Sequence, residues 1–484
     1  MRIDTDIPLL IFRRTKIVAT LGPRSNDKDT IERLFTAGVD VFRLNMSHGT
    51  HDEHGNTYQR VCKVADKLKK PISVMADLCG PKIRVGSFHN GRAELIEGEP
   101  VIVTSRDVVG HPGLISSQYR ALADDVEDGN RILLDDGNIE LSVKSINGSD
   151  ITCEVITGGI LSDHKGMNLP GVTISSPSLT ESDYIDANFA LQLGVDFLAL
   201  SFVRRGSDVE DLRALISKTN TRTAIIAKIE KPEALDNIDE ILDAADGIMV
   251  ARGDLGVELP PQVVPNAQDQ LIDLARIRRK PVIVATQMLE SMLNHSRPTR
   301  AEVTDVANAV RSGADAVMLS AETASGKYPV ETVKMMGDIA RQTEGYQWRQ
   351  AAFGSLTRHN EHVRPFPKED ALSESVAQLS RDLLVRAIVV ISMHDRSLAV
   401  MSSSRPAAPI VGICTDLRSS RLANLLWGVI PITVDPAEID NIQSLARRVV
   451  VELGLAVEGQ NILVVKGFSD DPKQNTPNLT VVTV

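Results

Sequence analysis

The chain has few cysteines, no excess of positive charge and no long apolar run, and each absence argues against a class of protein. The four cysteines among 484 residues form no C-x-x-C pair. Neither a disulfide framework nor a zinc site of cysteines is therefore indicated, and a reducing compartment is expected. The net charge of −11 argues against a nucleic-acid-binding protein, whose affinity depends on clustered Lys and Arg.

The sequence also gives no sign of export or membrane insertion. The first residues, MRIDTDIPLLIF, lack the basic region and the cleavage site of a signal peptide. No apolar run approaches the roughly 20 residues that a membrane helix needs. We therefore expect a soluble, cytoplasmic protein without nucleic-acid or membrane partners, and its length suggests about three domains.

Apolar strands alternate with amphipathic helices in two parts of the chain. Segment 26–38, for example, places Ile31, Leu34 and Phe35 on one helical face. Alternating β and α units indicate a parallel sheet. Strands are predicted at 16–21, 39–44 and 72–76, and then at 197–201, 224–228, 247–250, 282–286 and 316–320. Eight such units in about 250 residues predict a (β/α)8 TIM barrel within an α/β fold class.

The stretch between these two parts is different, because short strands alternate there with Asp-Gly and Asn-Gly turns. It predicts an all-β domain inserted after the third barrel strand, as a lid over the barrel mouth. Five apolar runs near the C-terminus predict an α/β domain with a mostly parallel sheet. The predicted boundaries are 1–13 for an N-terminal segment, 14–77 and 171–345 for the barrel, 78–170 for the lid, 346–370 for a linker and 371–484 for the C-terminal domain.

Charged side chains lie at the carboxyl ends of the predicted barrel strands, the face that carries the active site in this fold. The cations are Arg43, Lys228 and Arg252, and the carboxylates are Asp77, Glu230 and Asp254. A few carboxylates together with substrate oxygens suit Mg²⁺, whereas His and Cys ligands suit zinc. Phosphoryl transfer needs mainly positioning and charge neutralisation, which this ring supplies. Neither a Walker loop nor a protein-kinase glycine loop is present, so we expect a nucleotide to be held in another way.

Nine motifs then give the sequence a specific resemblance. They are TKIVATLGP (15–23), RLNMSHG (43–49), ADLCGPKIRVG (76–86), KGMNLPG (165–171), AKIEKPEAL (227–235), MVARGDLGVE (249–258), ATQMLESM (285–292), RPTRAEVTDVANAV (297–310) and LSAETASGKYP (319–329). In order and spacing the chain resembles bacterial pyruvate kinases of the potassium-independent type. The resemblance implies a glycolytic phosphotransferase that uses Mg²⁺ or Mn²⁺ to convert phosphoenolpyruvate and ADP into pyruvate and ATP. It also implies a homotetramer.

The resemblance assigns a role to each of the motif residues. Catalytic roles fall to Lys228, Arg43 and Thr286. Substrate binding is implied for Arg43, Gly253, Asp254, Thr286, Ser320 and Glu322. The Mg²⁺ ligands are Glu230 and Asp254, and the residues facing the nucleotide phosphates are Asn45, His48, Arg84 and Lys165.

The same resemblance bears on potassium. Members that need K⁺ hold it with oxygens of four residues, of which Asn45, Ser47 and Asp77 match the first three. The fourth position is Leu78, which cannot ligate a cation, and Lys82 replaces the Glu of the potassium-requiring members. Because a tethered ammonium can supply the positive charge of the ion, we expect K⁺ not to be required.

An effector site is implied in the C-terminal domain. Ser392, Arg396 and Ser397 are able to hold a phosphate there. The carboxylates Asp395, Asp470 and Asp471, in the same two loops, oppose a doubly phosphorylated sugar. We therefore expect weak or absent activation by fructose 1,6-bisphosphate, and a sugar monophosphate or AMP as the effector.

Two other functions are compatible with parts of this pattern. A Mg²⁺-dependent lyase or aldolase acting on pyruvate or phosphoenolpyruvate would need the carboxylates and an arginine, but not Lys165, His48 or Arg84. A non-catalytic sensor of sugar phosphates would not need an intact ring of catalytic residues. The spacing of His48, His51 and His54 also resembles a metal site, but glycines interrupt the segment, and we expect no metal there.

Overall fold

The first large unit is a closed barrel of eight parallel strands. The computed structural model describes residues 12–219, 221–349, 366–392, 396–468, 473 and 475–484. The barrel strands are Lys16–Thr20, Val41–Asn45, Ser73–Asp77, Phe197–Leu200, Ala224–Ile229, Gly247–Ala251, Val282–Ala285 and Ala316–Leu319. Each pairs with its neighbours in parallel, and the last strand pairs with the first. Their side chains are almost all buried, which explains why the strands are rich in Val, Ile and Ala.

Helices surround the barrel on its outer side. Three of them begin with a capping box, at Thr50, Thr180 and Thr299, in which the hydroxyl accepts a backbone N–H and an acidic side chain three residues later bonds back. The α-helices of this unit are Lys28–Ala37, His51–Leu68, Glu181–Leu193, Gly206–Ser217, Pro232–Asp236, Ile238–Ala244, Arg252–Glu258, Val264–Ile277, Arg300–Ser312, Ala321–Ala324 and Pro329–Arg349, with a 3₁₀ turn at Glu290–Leu293. In the part of the chain that the structure describes, none is long and apolar enough to cross a membrane.

The insert after the third barrel strand is built from β-strands. A six-stranded sheet contains Pro100–Thr104, Leu114–Ser116, Arg131–Leu134, Ile139–Asn147, Asp150–Thr157 and Met167–Asn168, and a two-stranded sheet contains Arg92–Leu95 and Gly159–Ser162. Its one described helix, Leu122–Asp125, is a single turn. The insert has an apolar core of its own, separate from that of the barrel.

The C-terminal domain is a five-stranded sheet with helices. In sheet order the strands are Val429–Thr433, Ile410–Cys414, Ile388–Ser392, Asn461–Lys466 and Asn478–Thr483, and only the last pairing within these described strands is antiparallel. The helices are Lys368–Asp382, Arg396–Ser403, Leu417–Ala423 and Ile442–Glu452, with a 3₁₀ turn at Pro436–Asn441. The predicted fold class is therefore confirmed. The numbered domain boundaries stay predictions, and 1–11 and 350–365 lie outside the described residues.

Buried ion pairs attach the C-terminal domain to the amino-terminal end of the barrel. Arg405 donates to Asp315 at 2.9 Å, and Arg418 donates to Asp196 at 2.6 Å. Both aspartates are almost fully buried, and each immediately precedes a barrel strand. Leu425 belongs to the same apolar cluster as the inward-facing side chains of the barrel strands. The C-terminal domain thus covers the floor of the barrel, and the opposite end is left for the active site.

Candidate active site

A network of buried charges links the second, third and fifth barrel strands at their carboxyl ends. Arg43 Nε donates to Asp77 Oδ2 at 2.7 Å, and Arg43 Nη1 donates to Thr20 Oγ1 at 2.9 Å. Lys228 Nζ lies 3.2 Å from the other oxygen of Asp77. Burial raises the pKa of Asp77, but the charges of Arg43 and Lys228 outweigh it and hold that pKa below its usual value. Asp77 is therefore a carboxylate that orients two cations.

Lys228 lies at the centre of this network. Its ammonium is 2.9 Å from Glu230 Oε1 and donates to Ser201 Oγ at 2.7 Å, while its side chain is 12% exposed. Burial alone would lower the pKa of Lys228, but Asp77 and Glu230 raise it above its usual value. Lys228 therefore keeps its positive charge over the whole range of working pH, and a small part of it remains accessible from the mouth.

Glu230 and Asp254 form the acidic side of the mouth. The backbone N–H of Phe202 donates to Glu230 Oε2 at 2.8 Å, and Phe202 reaches this position with a positive φ of 54°. Burial raises the pKa of Glu230; Lys228 opposes this shift and the charge of Asp254 adds to it. Because the two carboxylates repel each other, a divalent cation between them would be stabilised.

This donor set fits Mg²⁺ better than it fits zinc. Among the described residues, no group of three or more His, Cys, Asp or Glu side chains forms a potential metal site. Mg²⁺ does not need such a site, since it is commonly held by one or two carboxylates together with substrate oxygens and water. The residues present therefore fit the metal that the resemblance implies.

The sixth and seventh strands meet at Gly253 and Thr286. Gly253 N donates to Thr286 Oγ1 at 2.6 Å, and that hydroxyl donates in turn to Ala285 O at 2.6 Å. Thr286 has a φ of 71°, a conformation that costs energy in a β-branched residue. A Cβ at Gly253 would lie 3.2 Å from the hydroxyl oxygen, so a larger residue here would displace the Thr286 side chain by a few tenths of an ångström.

Arg252 supports the strained turn from the outside. Its guanidinium donates to Thr286 O at 2.8 Å and to Asp305 Oδ1 at 2.6 Å. The motif arginine therefore lies behind the mouth and positions the backbone of Thr286. From the sequence, Arg252 was expected to supply positive charge to the mouth. In this structure its guanidinium instead holds the backbone of Thr286.

The opposite side of the mouth is cationic. Partial burial lowers the pKa of His48, as do the charges of Arg84 and Lys82. Arg84 Nη1 donates to His164 O at 3.0 Å within the insert. Lys165 lies in the insert as well, where it pairs with Asp135 at 2.7 Å and is exposed. The structure thus brings His48, Lys82 and Arg84 together, while Lys165 contacts its own domain.

The predicted monovalent-cation residues take different orientations. Asn45 Oδ1 accepts the backbone N–H of Ser47 at 3.3 Å, and Ser47 is exposed. Asp77 belongs to the charge network. Leu78 is almost fully buried in the apolar core of the barrel, so its side chain contributes nothing to the mouth.

Ser320 and Glu322 lie at the end of the eighth strand. Glu322 is buried, and its two oxygens accept backbone N–H groups from Ser320 at 2.7 Å and Leu289 at 3.3 Å. Burial raises the pKa of this carboxyl. In this structure Glu322 therefore connects the seventh and eighth strand ends, and its role in substrate binding stays a prediction.

Comparison with known proteins identifies the family. Residues 12–333 match the family profile described as pyruvate kinase, barrel domain, and residues 370–482 match pyruvate kinase, alpha/beta domain. A pyruvate kinase of Geobacillus stearothermophilus is 42% identical over 461 residues, which are 94% of this chain and 78% of the relative. One from Staphylococcus saprophyticus is 42% identical over 469 residues, 96% of this chain and 79% of the relative.

The chain belongs to the pyruvate kinase family. It is accordingly a phosphotransferase whose substrates are phosphoenolpyruvate and ADP and whose products are pyruvate and ATP. The lyase or aldolase and the non-catalytic sensor are not favoured by these matches. Pyruvate kinases generally use Mg²⁺ or Mn²⁺, and the carboxylate pair described above suits either ion.

Several residues that shape this site have no role in the sequence-based prediction. Ser201 accepts from Lys228 and donates to Leu78 O at 2.7 Å. Lys231 pairs with Glu258 at 2.6 Å in a buried contact, and Asn168 of the insert donates to the same carboxylate at 3.0 Å. Ser201 ends the predicted strand 197–201 and Lys231 follows Glu230, so both positions were a usable signal, whereas nothing local connects Asn168 with Glu258.

The three histidines do not converge. His51 pairs with Asp186 at 2.6 Å and stacks on Phe189, whereas His54 bonds the backbone oxygen of His48 at 2.8 Å.

In the C-terminal domain, Ser392 and Ser397 are buried, and Arg396 lies 3.5 Å from Glu369. Asp395, Asp470 and Asp471 lie outside the described residues.

Proposed function

We propose that phosphoryl transfer in this pyruvate kinase takes place in the barrel mouth, with the side chains of Arg43 and Lys228 on either side of the phosphoryl group. We also propose that the reaction does not require K⁺. The observation that carries the proposal is the Lys228 ammonium, which is held by Asp77 and Glu230 on a side chain that is 12% exposed. Arg43 is fixed from two sides by Asp77 and Thr20. Two oriented cations of this kind favour the charge that develops on a phosphoryl group in flight.

The other residues of the mouth have binding roles in this proposal. Glu230 and Asp254 hold the divalent ion, which when bound neutralises charge on the reacting oxygens. The Gly253 N–H and the Thr286 hydroxyl bind the substrate carboxylate, and Thr286 lies near the point where the enol carbon gains a proton. Ser320 and Glu322 complete the substrate side. The strained φ of Thr286 supports a functional role, because such strain is typical of active sites.

The nucleotide lies on the cationic side, near Asn45, His48 and Arg84. Lys165 reaches its phosphates only when the insert rotates as a lid, because in this structure it pairs with Asp135. The distance between labels on the insert and on the barrel should therefore shorten when both substrates are added. An unchanged distance would contradict the lid.

Independence of K⁺ follows from two positions. Leu78 is buried in the core and cannot ligate a cation. Lys82 is exposed beside the mouth, and its charge acts on His48. A tethered ammonium in this place substitutes for the mobile ion.

A coupled assay of pyruvate formation tests this proposal. We expect nearly equal activity in K⁺, Na⁺ and tetramethylammonium media, because the Lys82 ammonium is tethered to the chain and is not supplied by the medium. Lys82→Glu should lower activity and make it respond to added K⁺, incompletely while Leu78 remains. Lys334→Glu, a change of another exposed lysine on the helix Pro329–Arg349 outside the barrel, is the control and should show neither effect. A wild-type enzyme that is inactive until K⁺ is added would refute the proposal.

The assembly and regulation of the enzyme are also proposals. A homotetramer is expected from the resemblance, and sedimentation measures it directly. Ser392, Arg396 and Ser397 are proposed to hold a sugar monophosphate or AMP. Arg396 already lies near Glu369, and this carboxylate neutralises part of the arginine's positive charge. The second phosphate of a bisphosphate would therefore be less well neutralised than the single phosphate of a monophosphate. Strong activation at micromolar fructose 1,6-bisphosphate would contradict this.

A further inference from the structure

A buried ion pair joins the two chain segments that carry the proposed metal carboxylates. Lys231 follows Glu230 directly, and its ammonium donates to Glu258 Oε1 at 2.6 Å. The two paired side chains are only 5% and 1% exposed. Glu258 ends the short helix Arg252–Glu258, and Asp254 lies one turn earlier on that helix. We infer that Lys231 and Glu258 are positioning residues, which hold Glu230 and Asp254 at the separation that a divalent cation needs.

The helix makes Glu258 a suitable point from which to fix Asp254. The two residues are four apart, so their side chains lie on the same face of the helix. Glu258 is also the last residue of the helix, where the helix dipole disfavours a negative charge. An acidic side chain that is buried at this end breaks a local preference. Such a conflict is typical of positions that serve the active site.

Stability alone does not account for this contact. The cost of removing two charges from water offsets most of their attraction, so apolar residues of similar volume are often equally stable. The ion pair instead contributes a defined geometry. Asn168 of the insert adds to it, because its Nδ2 donates to the same oxygen of Glu258 at 3.0 Å. Three side chains from three parts of the chain thus meet at one carboxylate oxygen.

The metal site needs a defined geometry because Mg²⁺ demands nearly ideal octahedral coordination. Glu230 is held by direct contacts with the Phe202 N–H and the Lys228 ammonium. Asp254 is placed by its helix, and the ion pair anchors the end of that helix at Glu258. A displaced helix would therefore change the separation of the two carboxylates. The inference rests on the proposed metal role of Glu230 and Asp254.

The experiment is a titration of the full-length protein with Mn²⁺ in the absence of substrates, with free Mn²⁺ measured by electron paramagnetic resonance. Lys231→Met should weaken Mn²⁺ binding by about 10- to 100-fold, the usual effect of losing a group that orients metal ligands. The direction of the change is decisive. Removing a positive charge beside the site would by itself tighten cation binding, so tighter or unchanged binding would overturn the inference.

Steady-state kinetics provide a second measurement on the same variant. The concentration of Mg²⁺ at half-maximal activity should rise with the loss of Mn²⁺ affinity, whereas kcat at saturating Mg²⁺ should change far less. This split is expected because Lys231 acts on the metal site through the helix and has no part in the transfer itself. An unchanged Mg²⁺ requirement would contradict the positioning role.

Two milder variants keep the test independent of whether Lys231→Met folds. Glu258→Asp retains both charges but shortens the side chain, so it should also weaken Mn²⁺ binding, at the lower end of the same range. Unchanged affinity in this variant would overturn the inference. Asn168→Ala removes a neutral hydrogen bond to the same oxygen and leaves the ion pair, so it should affect Mn²⁺ much less. A loss equal to that of Lys231→Met would assign the positioning to the insert and overturn the role of the ion pair.

Two controls separate the possible causes. Lys16→Met removes another buried lysine, which donates to Val429 O at 2.6 Å at the opposite end of the barrel. It should lower stability without changing Mn²⁺ affinity, and an equal loss of affinity would show that general destabilisation is responsible. Asp254→Asn removes a proposed ligand and should weaken Mn²⁺ binding strongly. If it does not, the proposed metal site is wrong; if it does while Lys231→Met has no effect, the metal site stands and only the positioning inference fails.

Discussion

Replacing Lys228 with methionine removes a buried ammonium from between two buried carboxylates. Methionine has nearly the length of lysine, so the change deletes charge and hydrogen bonds with little change in packing. Asp77 and Glu230 then lose the cation at 3.2 and 2.9 Å, and Ser201 loses a donor at 2.7 Å. The perturbation is thus confined to the electrostatics of the mouth.

Two magnitudes follow from this geometry. Losing one preorganised group that stabilises transition-state charge lowers kcat by about 10²- to 10³-fold. The KM for phosphoenolpyruvate should change less, since this charge matters most when the phosphoryl group is between donor and acceptor. Removing one partner of a buried ion pair also costs about 3–5 kcal/mol of folding free energy, and protonation of Glu230 reduces that loss.

The assay combines steady-state kinetics with chemical unfolding. Lys231→Met is the matched control, because Lys231 is the next buried lysine and pairs with Glu258 at 2.6 Å. It should lose comparable stability but a much smaller factor in kcat. A Lys228→Met enzyme whose kcat stays within about threefold of wild type would refute the assigned role, because a charged catalytic group is expected to contribute far more.

Two further predictions concern the same mouth. Thr286→Val should lower kcat/KM for phosphoenolpyruvate by about 5- to 150-fold, since the substrate carboxylate loses the hydrogen bond of the Thr286 hydroxyl at a cost of about 1–3 kcal/mol. Thr286→Ser keeps the hydroxyl and should retain most activity, and equal losses in both variants would contradict this. The lowered pKa of Asp77 contributes stability that is fully present above the unfolded pKa of about 3.9 and is lost as pH falls through the folded value. Asp77→Asn should therefore be most destabilising near neutrality, with a difference in unfolding free energy that narrows in acid. A pH-independent difference, measured by urea unfolding, would show that the charge is not responsible.

The barrel and the line of residues around its mouth were predictable from sequence, because both depend on local patterns. Buried parallel strands are continuous apolar runs, and a polar residue at the end of each run marks the carboxyl face. Strand 282–286 was predicted one residue too long, since Thr286 has the propensity of a strand residue but a φ of 71°. That strain depends on Gly253 and Arg252, which are distant in sequence.

Contacts between domains were not predictable in the same way. The bond from Asn168 to Glu258 joins the insert to the helix that carries Asp254, and no periodicity or spacing indicates it. The basic run 276–280 has the pattern of helix-end charges, yet three of its residues line a cavity between the barrel floor and the C-terminal domain. The facing wall of that cavity includes Arg396 and Leu398, more than 100 residues further along the chain.

The floor of the barrel has a consequence for how the enzyme can be divided. Leu425 closes the apolar interior, and Arg405 and Arg418 neutralise the buried carboxylates of Asp315 and Asp196. Cutting the chain after the barrel would open that interior to water and leave two aspartates without these counter-ions, at several kcal/mol each. The barrel is therefore not expected to fold without the C-terminal domain. A truncated protein that ends near residue 345 should be insoluble, and the two domains must be kept together in any shortened variant.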